Sequence, residues 1–126
     1  MKNVMVCVTQ QRNCERLIQF GYNFLGEEKG DLFVVHVIGK QYKFLGTAKD
    51  GDALEYLYEI AHDYGASLTV LRSDDILKTL VEQVMKNNIT HVIMGESGKE
   101  SGNSDTIIAQ LANKILGSAE VIVVPA

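Results

Sequence analysis

Val4-Met5-Val6-Cys7-Val8, a few residues into the chain, is an unbroken apolar run of strand length. It lacks the polar alternation of a strand that shows one face to water. Such a run marks a strand buried on both faces, the habit of parallel sheets covered by helices on either side. The same signature returns at Leu32-Phe33-Val34-Val35-His36-Val37-Ile38, at Thr90-His91-Val92-Ile93-Met94 and at Glu120-Val121-Ile122-Val123-Val124. Ser67-Leu68-Thr69-Val70-Leu71 is a more polar version, as suits a strand nearer a sheet edge.

Between these runs apolar residues recur at helical spacing. Leu17, Ile18, Gly21, Phe24 and Leu25 predict a first helix, capped by Asn13 with Glu15 against its dipole and stopped before Gly30. After a polar stretch from Gly39 to Gly51, Leu54, Leu57, Ile60 and Ala61 predict a second helix that Gly65 closes. Ile76, Leu77, Leu80, Val81, Val84 and Met85 form a third stripe, capped by Ser73 or Asp74 and ended at Asn87-Asn88. Ile108, Leu111, Ala112, Ile115 and Leu116 form the fourth, stopped by Gly117. The order is β-α-β-α-β-α-β-α-β. Helical crossovers between buried strands require parallel pairing, and right-handed crossovers put helices on both faces. The fold class expected is α/β: a five-stranded parallel sheet in a single domain over residues 1–126.

Composition narrows the function. With 12 Lys and Arg against 16 Asp and Glu, the net charge of -4 argues against a nucleic-acid partner, which needs a basic surface. No apolar run approaches the ~20 residues that cross a bilayer, so membrane insertion is not expected. The start carries no cleavable signal, and a cytoplasmic location is expected. The 2 cysteines, Cys7 in a strand core and Cys14 at a helix start, are read as separate thiols. His36, His62 and His91 stand without Cys or carboxylate at ligand spacing, so no metal is expected. No Gly-x-Ser-x-Gly elbow occurs, and no catalytic residue is assigned.

In an open parallel sheet, ligands bind at the carboxyl ends of the strands where the strand order reverses. Two loops answer to that place: Thr9-Gln10-Gln11-Arg12-Asn13 and the stretch from Gly95 to Asp105. The second has three glycines, Gly95, Gly98 and Gly102, which let backbone approach a ligand closely, and it runs into a helix N-terminus that favours an anion. Lys99 adds charge; Ser97, Ser101, Asn103 and Ser104 add donors, while Glu96, Glu100 and Asp105 oppose an anion. It is neither a Walker loop nor a dinucleotide fingerprint. A surface loop with capping residues remains the plain alternative. Gly39 to Gly46, with Tyr42, Phe44 and Leu45, reads as a cover over the core end or as a stacking lid.

These motifs together resemble the universal stress protein family along the whole chain. Met94-Gly95-Glu96-Ser97-Gly98-Lys99 is similar to the family's Met-Gly-x-x-Gly, His36-Val37 to its His-Val pair, and Val121-Ile122-Val123-Val124-Pro125 to its terminal strand. Val6-Cys7-Val8-Thr9 and Cys14-Glu15-Arg16-Leu17-Ile18 most resemble the stress-protein-like domain of potassium-responsive sensor histidine kinases. The resemblance implies a Rossmann-like, adenine nucleotide alpha hydrolase-like sheet of strand order 3-2-1-4-5. It implies a nucleotide site at Thr9, Gln10, Gln11, Val37, Met94, Gly95, Ser97, Gly98, Lys99 and Ser104, taking ATP, AMP or a cyclic dinucleotide. It also implies a homodimer through Val121, Ile122, Val123 and Val124, and a signalling partner such as a sensor kinase. Two positions depart from the family: its aspartate at the end of strand one is Thr9, and its helix-opening Gly-Ser falls on Ala109-Gln110. The readings carried forward are a regulatory module that binds nucleotide without turnover, an interaction protein that binds none, and, last, a weak ATPase.

Overall fold

The computed structural model describes residues 2–8, 14–27, 29–38, 48–95 and 102–125. Their elements follow the expected order: β1 (Val4–Cys7), α1 (Cys14–Leu25), β2 (Leu32–Ile38), α2 (Ala48–Asp63), β3 (Ser67–Arg72), α3 (Ile76–Lys86), β4 (His91–Gly95), α4 (Gly102–Lys114) and β5 (Glu120–Val124). The strands form one sheet of order β3-β2-β1-β4-β5, parallel throughout.

That order explains the layers. The chain moves outward from β1 to β3, then crosses back past β1 and moves outward again to β5. With crossovers of constant hand, a reversal of direction sends later helices to the other face. One core accordingly joins Leu17 and Ile18 of α1 and Leu57, Ile60 and Ala61 of α2 to Val4, Val6, Val34 and Ile93. The other joins Leu80 and Val84 of α3 and Leu111 of α4 to Met5, Cys7, Val35, Val92 and Met94. Consecutive β1 side chains therefore alternate between two apolar layers, and every one is buried. This is the physical reason its sequence shows no polar alternation. The helix α1 lies so close to the sheet that a Cβ on Gly21 would stand 2.7 Å from Val6 Cγ2.

Boundaries differ from the sequence reading at several points. The chain leaves α1 at Gly26, whose φ of +58° and N–H to the Tyr22 carbonyl (3.0 Å) close the helix, and not at Gly30. The helix α2 starts at Ala48 and takes in Gly51, so the preceding connection is shorter than expected. The cap of α3 is Asp75, which accepts the Lys78 N–H at 3.0 Å; Ser73 instead accepts the Asp75 N–H one turn earlier. Thr90 precedes β4, its N–H bonding the Asn3 carbonyl (2.8 Å), and Val8 follows β1, where the ladder to β2 makes its last bond from the Val8 N–H to the Val35 carbonyl (2.9 Å). Tyr64 is half-buried with its ring 5.3 Å from that of Tyr22. Asn13 lies outside the described residues.

The amino edge of the sheet is locked by Asn3. Its N–H donates to Thr90 Oγ1 (3.0 Å), its side-chain amide to the Asn88 carbonyl (3.1 Å), and its Oδ1 accepts the Asp31 N–H (3.2 Å). One side chain thus holds the entries to β1, β2 and β4 in line.

Candidate functional site

The strand order reverses between β1 and β4, so the crevice expected of this architecture opens over their carboxyl ends. Five elements converge there. The strand β1 ends at Cys7 and β2 at Ile38; β4 ends at Gly95, which pairs with Val124 of β5; α1 begins at Cys14 and α4 at Gly102.

Of the residues singled out in the sequence, Val37 is half-buried near the end of β2 and packs with the α3–α4 layer. Met94 is buried in the same layer near the end of β4. Gly95 is the last residue of β4, and a Cβ there would lie 3.3 Å from Leu17 Cδ1. A larger residue would push against the first turn of α1 and narrow the crevice. Thr9, Gln10, Gln11, Ser97, Gly98 and Lys99 lie outside the described residues, as does the stretch Gly39 to Gly46.

Two readings of the last helix change. The helix α4 opens at Gly102, so Ser104 is its third residue, and the Gly/Ser-rich connection is shorter than expected. Ala109 and Gln110, matched to the family's helix-opening Gly-Ser, instead lie well inside α4 on its exposed side. The opening turn of α4 is Gly102-Asn103-Ser104, a glycine and a hydroxyl residue in sequence.

Two groups at the carboxyl edge were missed or under-read. The Arg16 guanidinium, from the first turn of α1, donates to the Pro125 carbonyl just beyond β5, so a cation stands at this edge. Its signal in the sequence was only a basic residue early in a helix that leaves β1. His36 is packed and hydrogen-bonded: it is 6% exposed and its Nδ1 lies 2.6 Å from the Val8 carbonyl oxygen. That partner could not be named without the register.

Cys7 is buried at the carboxyl end of β1, and His91 lies at the opposite edge of the sheet. Burial pushes the Cys7 thiol up to about 12, leaving it neutral and unreactive. His91 begins β4 at the amino edge, where its Nδ1 lies 2.8 Å from Thr90 Oγ1, its Nε2 3.8 Å from a Glu120 carboxylate oxygen, and its ring 4.9 Å from that of Phe24. Among the described residues no group of three or more His, Cys, Asp or Glu is placed to hold a metal ion. None of the helices described is long and apolar enough to cross a membrane.

Among the described residues the strand β5 is a sheet edge, with β4 beside it. Val121 and Ile122 are half-buried on opposite layers, Val124 is buried, and Val123 is 42% exposed.

No protein-family model matches the chain. No curated protein matches it. Solved structures do. The protein MJ0577, studied as a test of assigning biochemical function from structure, is 15% identical over 99% of this chain and 96% of its own, with a TM-score of 0.72. A universal stress protein in complex with cAMP is 15% identical over 98% of this chain and 96% of its own, with a TM-score of 0.66. The universal stress protein of Archaeoglobus fulgidus in complex with dAMP is 14% identical over 98% and 97%, with a TM-score of 0.64. Solved structures with this fold thus include universal stress proteins, and the five-stranded parallel sheet of order 3-2-1-4-5 is theirs too. At this identity the likeness is one of fold.

Proposed function

We propose that the chain is a regulatory module of the universal stress protein kind, a cytoplasmic homodimer that holds an adenine nucleotide, or a cyclic dinucleotide, without turning it over. The observation that carries this reading is the convergence of Val37, Gly95 and the opening of α4 on the crevice where the strand order reverses. Two proteins of the same fold hold adenosine monophosphates, cAMP and dAMP. In this reading Thr9, Gln10, Gln11 and Val37 meet the base and ribose. Backbone N–H groups from Gly95 to Lys99, with Ser97 and Ser104, take the phosphate, and Met94 walls the pocket. Arg16 supplies positive charge at the rim. Turnover is not proposed, because no metal-binding carboxylate pair or general base is assigned beside the cradle.

The dimer is argued from the edge. An apolar edge strand invites pairing with a foreign strand, and a two-fold copy of β5 satisfies it in a closed assembly. The half-buried Val121 and Ile122 and the exposed Val123 are the side chains such pairing would cover.

A second reading, an interaction protein that regulates a sensor kinase or similar partner and binds no nucleotide, is favoured by one residue. Thr9 stands where nucleotide-binding relatives carry an aspartate, so a charged contact to the ribose is absent.

Calorimetry with AMP, cAMP, ATP and cyclic dinucleotides, each with and without magnesium, decides between them. Micromolar binding that is lost in Gly98→Val while the melting temperature holds supports the sensor. No heat and no thermal shift with any of these ligands overturns it. Phosphate release from ATP would overturn the absence of turnover.

A further inference from the structure

The ladder between β1 and β2 stops one rung early. Its last pair is Cys7↔Val35, yet the Val8 N–H still reaches the Val35 carbonyl at 2.9 Å. In a parallel ladder the next bond would run from the Val37 N–H to the Val8 carbonyl. That oxygen is met instead by His36 Nδ1 at 2.6 Å. A carbonyl oxygen can only accept, so Nδ1 carries the proton. The imidazole is 6% exposed, the buried polar side chain among the described residues, and it sits where the strand order reverses.

We infer that the His36 imidazole replaces the Val37 amide as donor to Val8 and thereby holds the sheet open by one rung at the crevice. The Val35 carbonyl faces β1, since it accepts from Val8. Backbone groups two residues apart on a strand face the same way, so the N–H and C=O of Val37 also face β1. Released from Val8, the Val37 N–H is left as a donor at the crevice, the kind of group that a ring nitrogen of a base complements. His36 is therefore a positioning residue: it touches no ligand and keeps the Val37 N–H from being spent on Val8. The ligand class rests on the nucleotide reading above; the opening of the ladder does not.

The test uses the full chain labelled with 15N, as wild type, His36→Asn and His36→Leu. Asparagine places an amide donor where Nδ1 stands; leucine removes the donor and lets the Val37 N–H close on Val8. The Val37 amide should exchange about tenfold more slowly in His36→Leu than in the other two, the protection that one added hydrogen bond confers. Its neighbours in β2 should exchange no more slowly than before. A merely destabilised variant would move Val37 the other way. AMP affinity should fall about tenfold in His36→Leu and stay within about threefold in His36→Asn.

Equal Val37 exchange in all three proteins, or affinity lost equally in both variants, overturns the inference even where AMP binds the wild type. If the wild type binds no AMP, the nucleotide reading fails and the exchange result still decides the role of His36. Should His36→Leu not fold, the wild type alone suffices: a slowly exchanging Val37 amide, or 15N shifts showing Nδ1 unprotonated, overturns it.

Discussion

At Gly30 the backbone passes so close to the chain's first described residue that a Cβ would lie 1.6 Å from the Lys2 carbonyl oxygen, at a φ of +153°. The position tolerates no side chain without moving one of the two segments. Gly30→Ala should cost about 3 kcal/mol or more, read as a lower urea midpoint at unchanged slope. Cys7 makes a second prediction. Its thiol titrates at about 12 in the fold against an ordinary 9.0, so between these values the folded chain keeps a proton that the unfolded chain gives up. Stability that is present below pH 9 is then lost as pH rises towards 12, by up to about 1.4 kcal/mol per unit. Replacing Cys7 by Ala should remove that alkaline slope in denaturation measured from pH 8 to 11. In the native state at pH 8 a thiol reagent should modify Cys7 only as fast as the core opens. The burial of Cys7 was legible in its apolar neighbours. The bond from His36 to Val8 was not, because it depends on which strand lies beside which and in what register.

Elements were legible where burial wrote a periodic pattern, and less so where one turn's hydrogen bonds decide. Strands β2 and β5 fall on the limits their apolar runs predicted, whereas β1 and β4 differ by one residue where the ladder bonds decide. Helix starts were harder. Ser73, Asp74 and Asp75 are all competent caps, and only the bond from the Lys78 N–H to Asp75 chooses among them. Asp75→Ala should therefore destabilise by about 1 kcal/mol, and Asp74→Ala by much less, in matched thermal melts. The opening of α4 was placed too late because Ser, Asn, Asp and Gly are common to loops and to first helical turns alike. Moving it to Gly102 puts Ala109 and Gln110 inside the helix and Gly102 and Ser104 in its first turn.

The whole molecule has two ends with different duties. The amino edge is closed by the bonds of Asn3 and by the Phe24–His91–Glu120 contacts; the carboxyl edge is where the proposed site lies. The dimer is tested at this scale. Light scattering should give twice the mass of the chain at micromolar concentration, and Val123→Glu should return it to a monomer, because a charge would be buried against its symmetry mate. A monomeric wild type would remove the dimer and leave the crevice untouched. One further consequence follows from five strands all pointing the same way: the polypeptide comes in beneath the sheet at β1 and departs above it at β5. Its ends cannot be tied by a tight turn, so a circularly rearranged version would need a bridging peptide longer than the strands themselves. Spliced into a larger protein, the fold would act as an in-line coupling with its neighbours on opposite sides, not as a pendant hung from a single hinge.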